Sequence, residues 1–120
     1  MEPKLTLKRE RETLMKVRND LLMMNNQHFN MAISCILRDC GTVACIGGHA
    51  WLTENPNDFE GASEFVMNIT TGDELYKLFY ETTLSGVTPA EGAQAIDNYL
   101  NGNTESPWHF IDVDEVLDRG

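Results

Sequence analysis

Between Asp39 and Trp51 the chain places two cysteines, three glycines, a histidine and a tryptophan in thirteen residues. The adjacent glycines Gly47 and Gly48 constrain the fold most. Each costs a helix about 1 kcal/mol relative to alanine, so close packing or a special backbone angle must offset them. Thr42 is placed to cap a helix over 43–53. Within such a helix Ala44 and Gly48 share one face, and their small size lets a second helix approach. Gly41 supplies the turn into it, and Trp51 anchors its far end.

The rest of the chain is punctuated as helices. Leu7, Leu14, Val17, Leu21 and Met24 recur at three-, four- and seven-residue steps, which predicts a helix over 5–24. Asn25-Asn26-Gln27 ends it, and residues 32–37 form a short apolar piece of open type. Asn55-Pro56-Asn57-Asp58 reads as a turn. Ala62, Phe65, Val66 and Ile69 then form one apolar face of a helix over 59–69. Thr71-Gly72-Asp73-Glu74 matches a capping box before Leu75, Leu78 and Phe79. Thr88-Pro89-Ala90-Glu91 is a stronger start, with a cap followed by proline at the first helical position. Ala93, Ile96 and Leu100 share its face, and Gly102 closes it. Ser106-Pro107 opens a short turn, and Asp112-Val113-Asp114-Glu115 repeats the capping pattern. No alternation is long enough to predict a strand. The expected fold is all-α: one compact domain over 1–120 with five to six helices, a basic N-terminal helix in 1–25 and an acidic helical core in 39–118.

A chain of 120 residues suits one domain, which buries somewhat under about 70% of its unfolded surface. No apolar run reaches the roughly 18 residues of a membrane helix. Charges follow Met1-Glu2-Pro3-Lys4-Leu5, so no secretory leader is expected there and the expected location is cytoplasmic. Three cysteines in that setting are expected as thiols.

The charge is unevenly spread. Up to Arg38 the chain has seven basic and four acidic residues, net +3; beyond it, two basic and fifteen acidic, net −13. Such a field opposes phosphate backbones and favours basic partners. A nucleic-acid role would rest on Lys4, Lys8, Arg9, Arg11, Lys16 and Arg18, where Glu10 and Glu12 intervene. Glu54, Asp58, Glu60 and Glu64 gather around one turn; Asp73, Glu74 and Glu81 gather around the next helix. Spaced carboxylates on a compact protein can imitate nucleic-acid charge and fill a basic groove. Glu54, Asp58, Glu60, Glu64, Asp73 and Glu74 are therefore the expected partner-binding residues, set against a merely solvated surface. Asp112, Asp114, Glu115 and Asp118 lack the glycine and spacing of a calcium loop.

Cys35, Cys40, Cys45 and His49 are spaced C-x4-C-x4-C-x3-H. On a helix Cys45 and His49 would share a face and could hold zinc, although the two-residue knuckle spacing of structural zinc sites is absent. Cys40 could act as a nucleophile just before a helix start, with His28, His49 or His109 as base, but the adjacent Asp39 raises a thiol pKa. A core role explains more of the segment, since free cysteine behaves as a small buried hydrophobe. The expectation is a non-enzymatic protein-binding module with no catalytic residues and no cofactor, with a zinc or thiol function as the alternative.

Cys40-Gly41-Thr42-Val43-Ala44-Cys45-Ile46-Gly47-Gly48-His49-Ala50 resembles a motif in a set of small, uncharacterised bacterial and bacteriophage proteins. That motif reads Cys-Gly-Thr, two residues, Cys, two residues, Gly, an aromatic or histidine, Ala. Phe29-Asn30-Met31, Leu75-Tyr76-Lys77-Leu78-Phe79-Tyr80 and Thr88-Pro89-Ala90-Glu91 are similar to its flanking pieces, so the resemblance spans about residues 28–100. It implies a bacterial or phage cytosolic setting and carries no activity. Tryptophan is frequent in that set where His49 stands, which argues against a metal role for His49.

Overall fold

The helix-start signals largely become helices in the computed structural model, which describes residues 6–33, 35–38, 41–81 and 86–119, with the side chains of 37, 38 and 41 left out. Among these residues the elements run α1 (Glu10–Leu21), a 3-10 turn (Asn26–His28), β1 (Cys35–Arg38), β2 (Gly41–Ala44), α2 (Ile46–Glu54), α3 (Phe59–Met67), α4 (Leu75–Tyr80), α5 (Pro89–Leu100) and α6 (Val113–Asp118). The chain is a mostly helical single domain.

Helix α1 is shorter than the predicted 5–24, but its apolar stripe holds. Leu14, Val17 and Leu21 are buried, with Leu7 and Met24 partly buried against the core. The stripe packs on α5. A Cβ on Gly92 would lie 2.8 Å from Phe29 Cζ and 3.2 Å from Leu21 Cδ1, so glycine is what permits this approach. Arg18 clasps Asp97 with Nε and Nη2, at 3.0 and 3.2 Å, and Arg11 Nη1 donates to the Leu100 carbonyl at 3.2 Å.

Helix α5 begins as its sequence prescribes. Thr88 Oγ1 accepts from Glu91 N at 3.2 Å while Glu91 Oε1 accepts from Thr88 N at 2.9 Å, with Pro89 in the first turn. Gly102 follows the C-cap with φ +106°, the left-handed region that favours glycine. Asp112 caps α6 by accepting from Asp114 N and Glu115 N.

The segment 35–44 departs from the expectation. It is a hairpin, β1 antiparallel to β2, with Cys35 opposite Ala44 and Ile36 opposite Val43. Thr42 and Ala44 therefore lie in a strand, and Cys45, extended at φ −79° and ψ −177°, is the N-cap of α2. The cause is pairing on both edges of β2. Besides β1, the strap 28–33 runs beside it. Asn30 N donates to the Ala44 carbonyl at 3.1 Å, Cys45 N to the Ile33 carbonyl at 2.8 Å, and Phe29 bridges Ala44 in parallel. Non-local pairing outweighs local propensity in strands this short.

The second departure is at 71–74. Glu74 is already helical at φ −59° and ψ −35°, and no side chain caps α4. Asp73 instead accepts from Thr70 N at 2.9 Å and Thr70 Oγ1 at 3.2 Å, closing the preceding turn. Helix α3 ends at Met67 rather than 69, yet Ala62, Phe65, Val66 and Ile69 are all buried as its pattern requires.

The core is centred on stacked aromatic rings, with Trp51 5.2 Å from Phe65, which meets Phe79 edge-on at 5.8 Å. Gly47 lies against both neighbouring helices. A Cβ there would be 2.8 Å from Val66 Cγ2 and 3.0 Å from Phe79 Cδ2. The close approach expected of this helix is made at Gly47, one residue from the predicted contact. Trp108, beyond Ser106-Pro107, is buried and its Nε1 donates to the Leu78 carbonyl at 2.8 Å.

Candidate functional site

The thiols of Cys35 and Cys45 and the imidazoles of His28 and His49 are drawn into the fold around the hairpin. Cys45 is buried and lines a cavity of about 180 Å³ with Met31, Ala32, Val66, Met67, Phe79 and Tyr80. The Tyr80 hydroxyl donates to the Val66 carbonyl nearby. Burial pushes the Cys45 thiol pKa up, and the backbone N–H groups of Gly48 and Gly47 only partly oppose this. Cys35, half-buried across from Ala44, is shifted up by burial as well.

His49 turns its Nε2 to the His28 carbonyl, at 2.7 Å. A carbonyl only accepts, so this nitrogen carries a proton. Burial lowers the His49 pKa, with the His28 carbonyl opposing in part, which favours the neutral ring. Phe29 stacks on it at 6.4 Å. His28 in turn donates from Nδ1 to the Thr42 carbonyl at 3.1 Å. The two histidines thus tie the strap to β2 and α2. His109 is tied to its own turn, with Nδ1 3.0 Å from the Ser106 carbonyl oxygen.

Cys40, and with it the nucleophile reading, lies outside the described residues. Zinc binding through His49 Nε2 would require giving up the bond to His28. Among the described residues, no three His, Cys, Asp or Glu groups converge to hold a metal ion.

The six carboxylates expected to meet a partner divide into two groups. Glu54, at the end of α2, accepts from Lys8 N at 2.6 Å, Arg9 N at 2.9 Å and Thr13 Oγ1 at 2.7 Å. It caps the start of α1 from another helix, where the macrodipole favours negative charge. Burial would raise its pKa, but these three hydrogen bonds prevail and hold it below the usual carboxylate range. Asp58 caps α3, accepting from Gly61 N at 3.1 Å and from Trp51 Nε1 at 3.0 Å. Asp73 closes the turn described above. These three side chains serve the fold.

Glu60, Glu64 and Glu74 remain exposed, and among the described residues none forms an ion pair. Glu60 and Glu64, one turn apart on α3, line an open groove of about 580 Å³ with Phe59, Ser63 and Met67. Met67 is 74% exposed. Ser63 Oγ donates to the Cys35 carbonyl at 3.5 Å, which joins this helix to β1. Glu74 faces elsewhere, lining a smaller pocket of about 120 Å³ with Glu10 and Asp73 over Phe65, Ile69 and Leu75. Burial raises the pKa of Glu10; a hydrogen bond from the Tyr99 hydroxyl draws it back, and the charge of Glu74 adds to the rise. The sequence reading missed Met67. Its signal was present, because position 67 falls outside the apolar face of Ala62, Phe65, Val66 and Ile69.

No family model, no curated protein and no solved structure matches the chain. No helix among the described residues is long and apolar enough to cross a membrane.

Proposed function

We propose that the protein is a small, acidic, non-enzymatic binding module, encoded by a bacterium or phage and acting in the cytoplasm. It docks on a basic surface of another protein, imitating the charge of nucleic acid, and so inhibits a host or defence factor. One observation carries this reading. Glu60 and Glu64 stand one turn apart on an open groove beside exposed Met67, with no cation paired to them among the described residues. Unneutralised carboxylates around an apolar contact suit a cationic surface, for which complementary charge speeds encounter and excludes wrong partners.

The test is native mass spectrometry of the protein taken from bacterial lysate under mild reduction, beside a Glu60→Lys, Glu64→Lys, Glu74→Lys variant. These three positions are exposed, so their reversal leaves the internal caps intact. The expected result is a stoichiometric complex with a basic protein that the variant loses. A complex indifferent to the reversal, or a bare chain, overturns the reading. The alternative is a zinc or thiol function of Cys40, Cys45 and His49, for which Cys45 and His49 stand one turn apart at the start of α2. A bare chain carrying an added zinc mass would establish it.

A further inference from the structure

Helix α6 is anchored by one buried side chain and its terminal arginine, and leaves apolar surface uncovered. Val116 is buried, and Arg119 fastens the helix end by donating to Glu91 at 2.6 and 3.1 Å and to the Gly86 carbonyl at 3.2 Å. Val113 and Leu117, one turn apart on a shared face, are 52% and 58% exposed. Phe110, 38% exposed, precedes them and stacks on buried Trp108 at 6.1 Å. Asp114 and Asp118 form a second row one residue along. Among the described residues neither has an ion-pair partner, whereas Glu115 is held by Arg119 at 3.3 Å.

An apolar row edged by carboxylates that no described residue pairs complements an amphipathic helix with large apolar residues at four-residue spacing and lysine or arginine beside them. A second copy would bring further acidic rows to a chain of net charge −10, so like charges oppose it. We infer that α6 is a docking surface for a basic amphipathic helix of another protein. The inference rests on the reading of the chain as a binder of basic proteins, and it adds a second surface distinct from the α3 groove.

The probe is a synthetic helix of about 15 residues with leucines on one face and lysines flanking them, beside a scrambled peptide of the same composition. Titration followed by amide NMR shifts should saturate, with changes centred on α6. Val113→Gln with Leu117→Gln, both at exposed positions, should weaken binding by about tenfold or more. Met23→Gln, at a 90% exposed position outside both surfaces, should leave it unchanged. Equal binding of the scrambled peptide, indifference to the α6 variants, absence of saturable binding, or a free protein whose α6 is already covered in a dimer would each overturn the inference. Shifts mapping instead to α3 and lost with Glu60 and Glu64 would overturn it while leaving the proposed function standing.

Discussion

Replacing Glu54 by glutamine keeps the shape of the side chain and removes the charge that α1 receives at its start. The expected loss is about 1 kcal/mol, the usual value of a helix cap, measured by chemical denaturation. The pH dependence has a definite sign. Glu54 is depressed in the folded state, and so is Glu91, where burial is outweighed by hydrogen bonds from Arg119 and Thr88. Their stabilisation is complete above the unfolded value of about 4.3 and is lost as pH falls through the folded pKa. The acid limb of stability should therefore be shallower in Glu54→Gln. Glu10 behaves oppositely. Its pKa is raised, so the fold disfavours its charge, and the penalty enters as pH rises through the folded pKa. Thermal melts of Glu10→Gln should lie above the native protein at pH 7 and coincide with it near pH 3. Gly47→Ala should cost about 1–3 kcal/mol despite the better helix propensity of alanine, because Val66 and Phe79 leave no space for a methyl group. At this scale the residue types were legible and their duties were not. Nothing local tells that Glu54 faces α1, some forty residues away in the chain, while Glu60 faces solvent.

Two capping boxes of similar appearance separate at the level of elements. Thr88→Ala should destabilise by about 1 kcal/mol, because its hydroxyl and Glu91 exchange bonds at the start of α5. Thr71→Ala should change stability by less than about 0.5 kcal/mol, because α4 starts without it. Equal effects in urea titrations would refute this distinction. The Thr88 box was readable because proline at the first position and glutamate at the third support the cap of a twelve-residue helix. The Thr71 box was misread because Asp73 competes for the preceding Thr70 backbone, a bond the box pattern does not include. The hairpin was missed for a different reason. Ile36, Thr42 and Val43 are β-branched, but four-residue strands show too little alternation. Their pairing depends on a strap that lies upstream of both.

Across the whole molecule, a net charge of −10 makes the folded state repel itself. Raising salt from about 0.02 to 0.5 M should therefore raise the melting temperature, since screening relieves this repulsion. The opposing loss is small. The Arg18–Asp97 pair is partly exposed and contributes roughly 0–1 kcal/mol, and the Arg119–Glu91 pair lies at the surface, where water already screens it. A melting temperature that falls with salt would show the ion pairs to dominate. The helical class was legible from periodicity and caps, and the packing of α1 on α5 was not. Their apolar stripes match equally well in many arrangements, and Gly92 selects this one only once Phe29 and Leu21 are placed beside it. That packing also sets the order of events during synthesis. Arg18 and Asp97 are 79 residues apart, and the stripe of Leu14, Val17 and Leu21 has its main cover on α5. A ribosome adding about 5–20 residues per second makes α1 several seconds before α5 exists, so the first helix waits with the side that α5 covers still open. Closure is then a late, long-range step, and refolding should run nearer milliseconds than the microseconds of bundles built from adjacent helices.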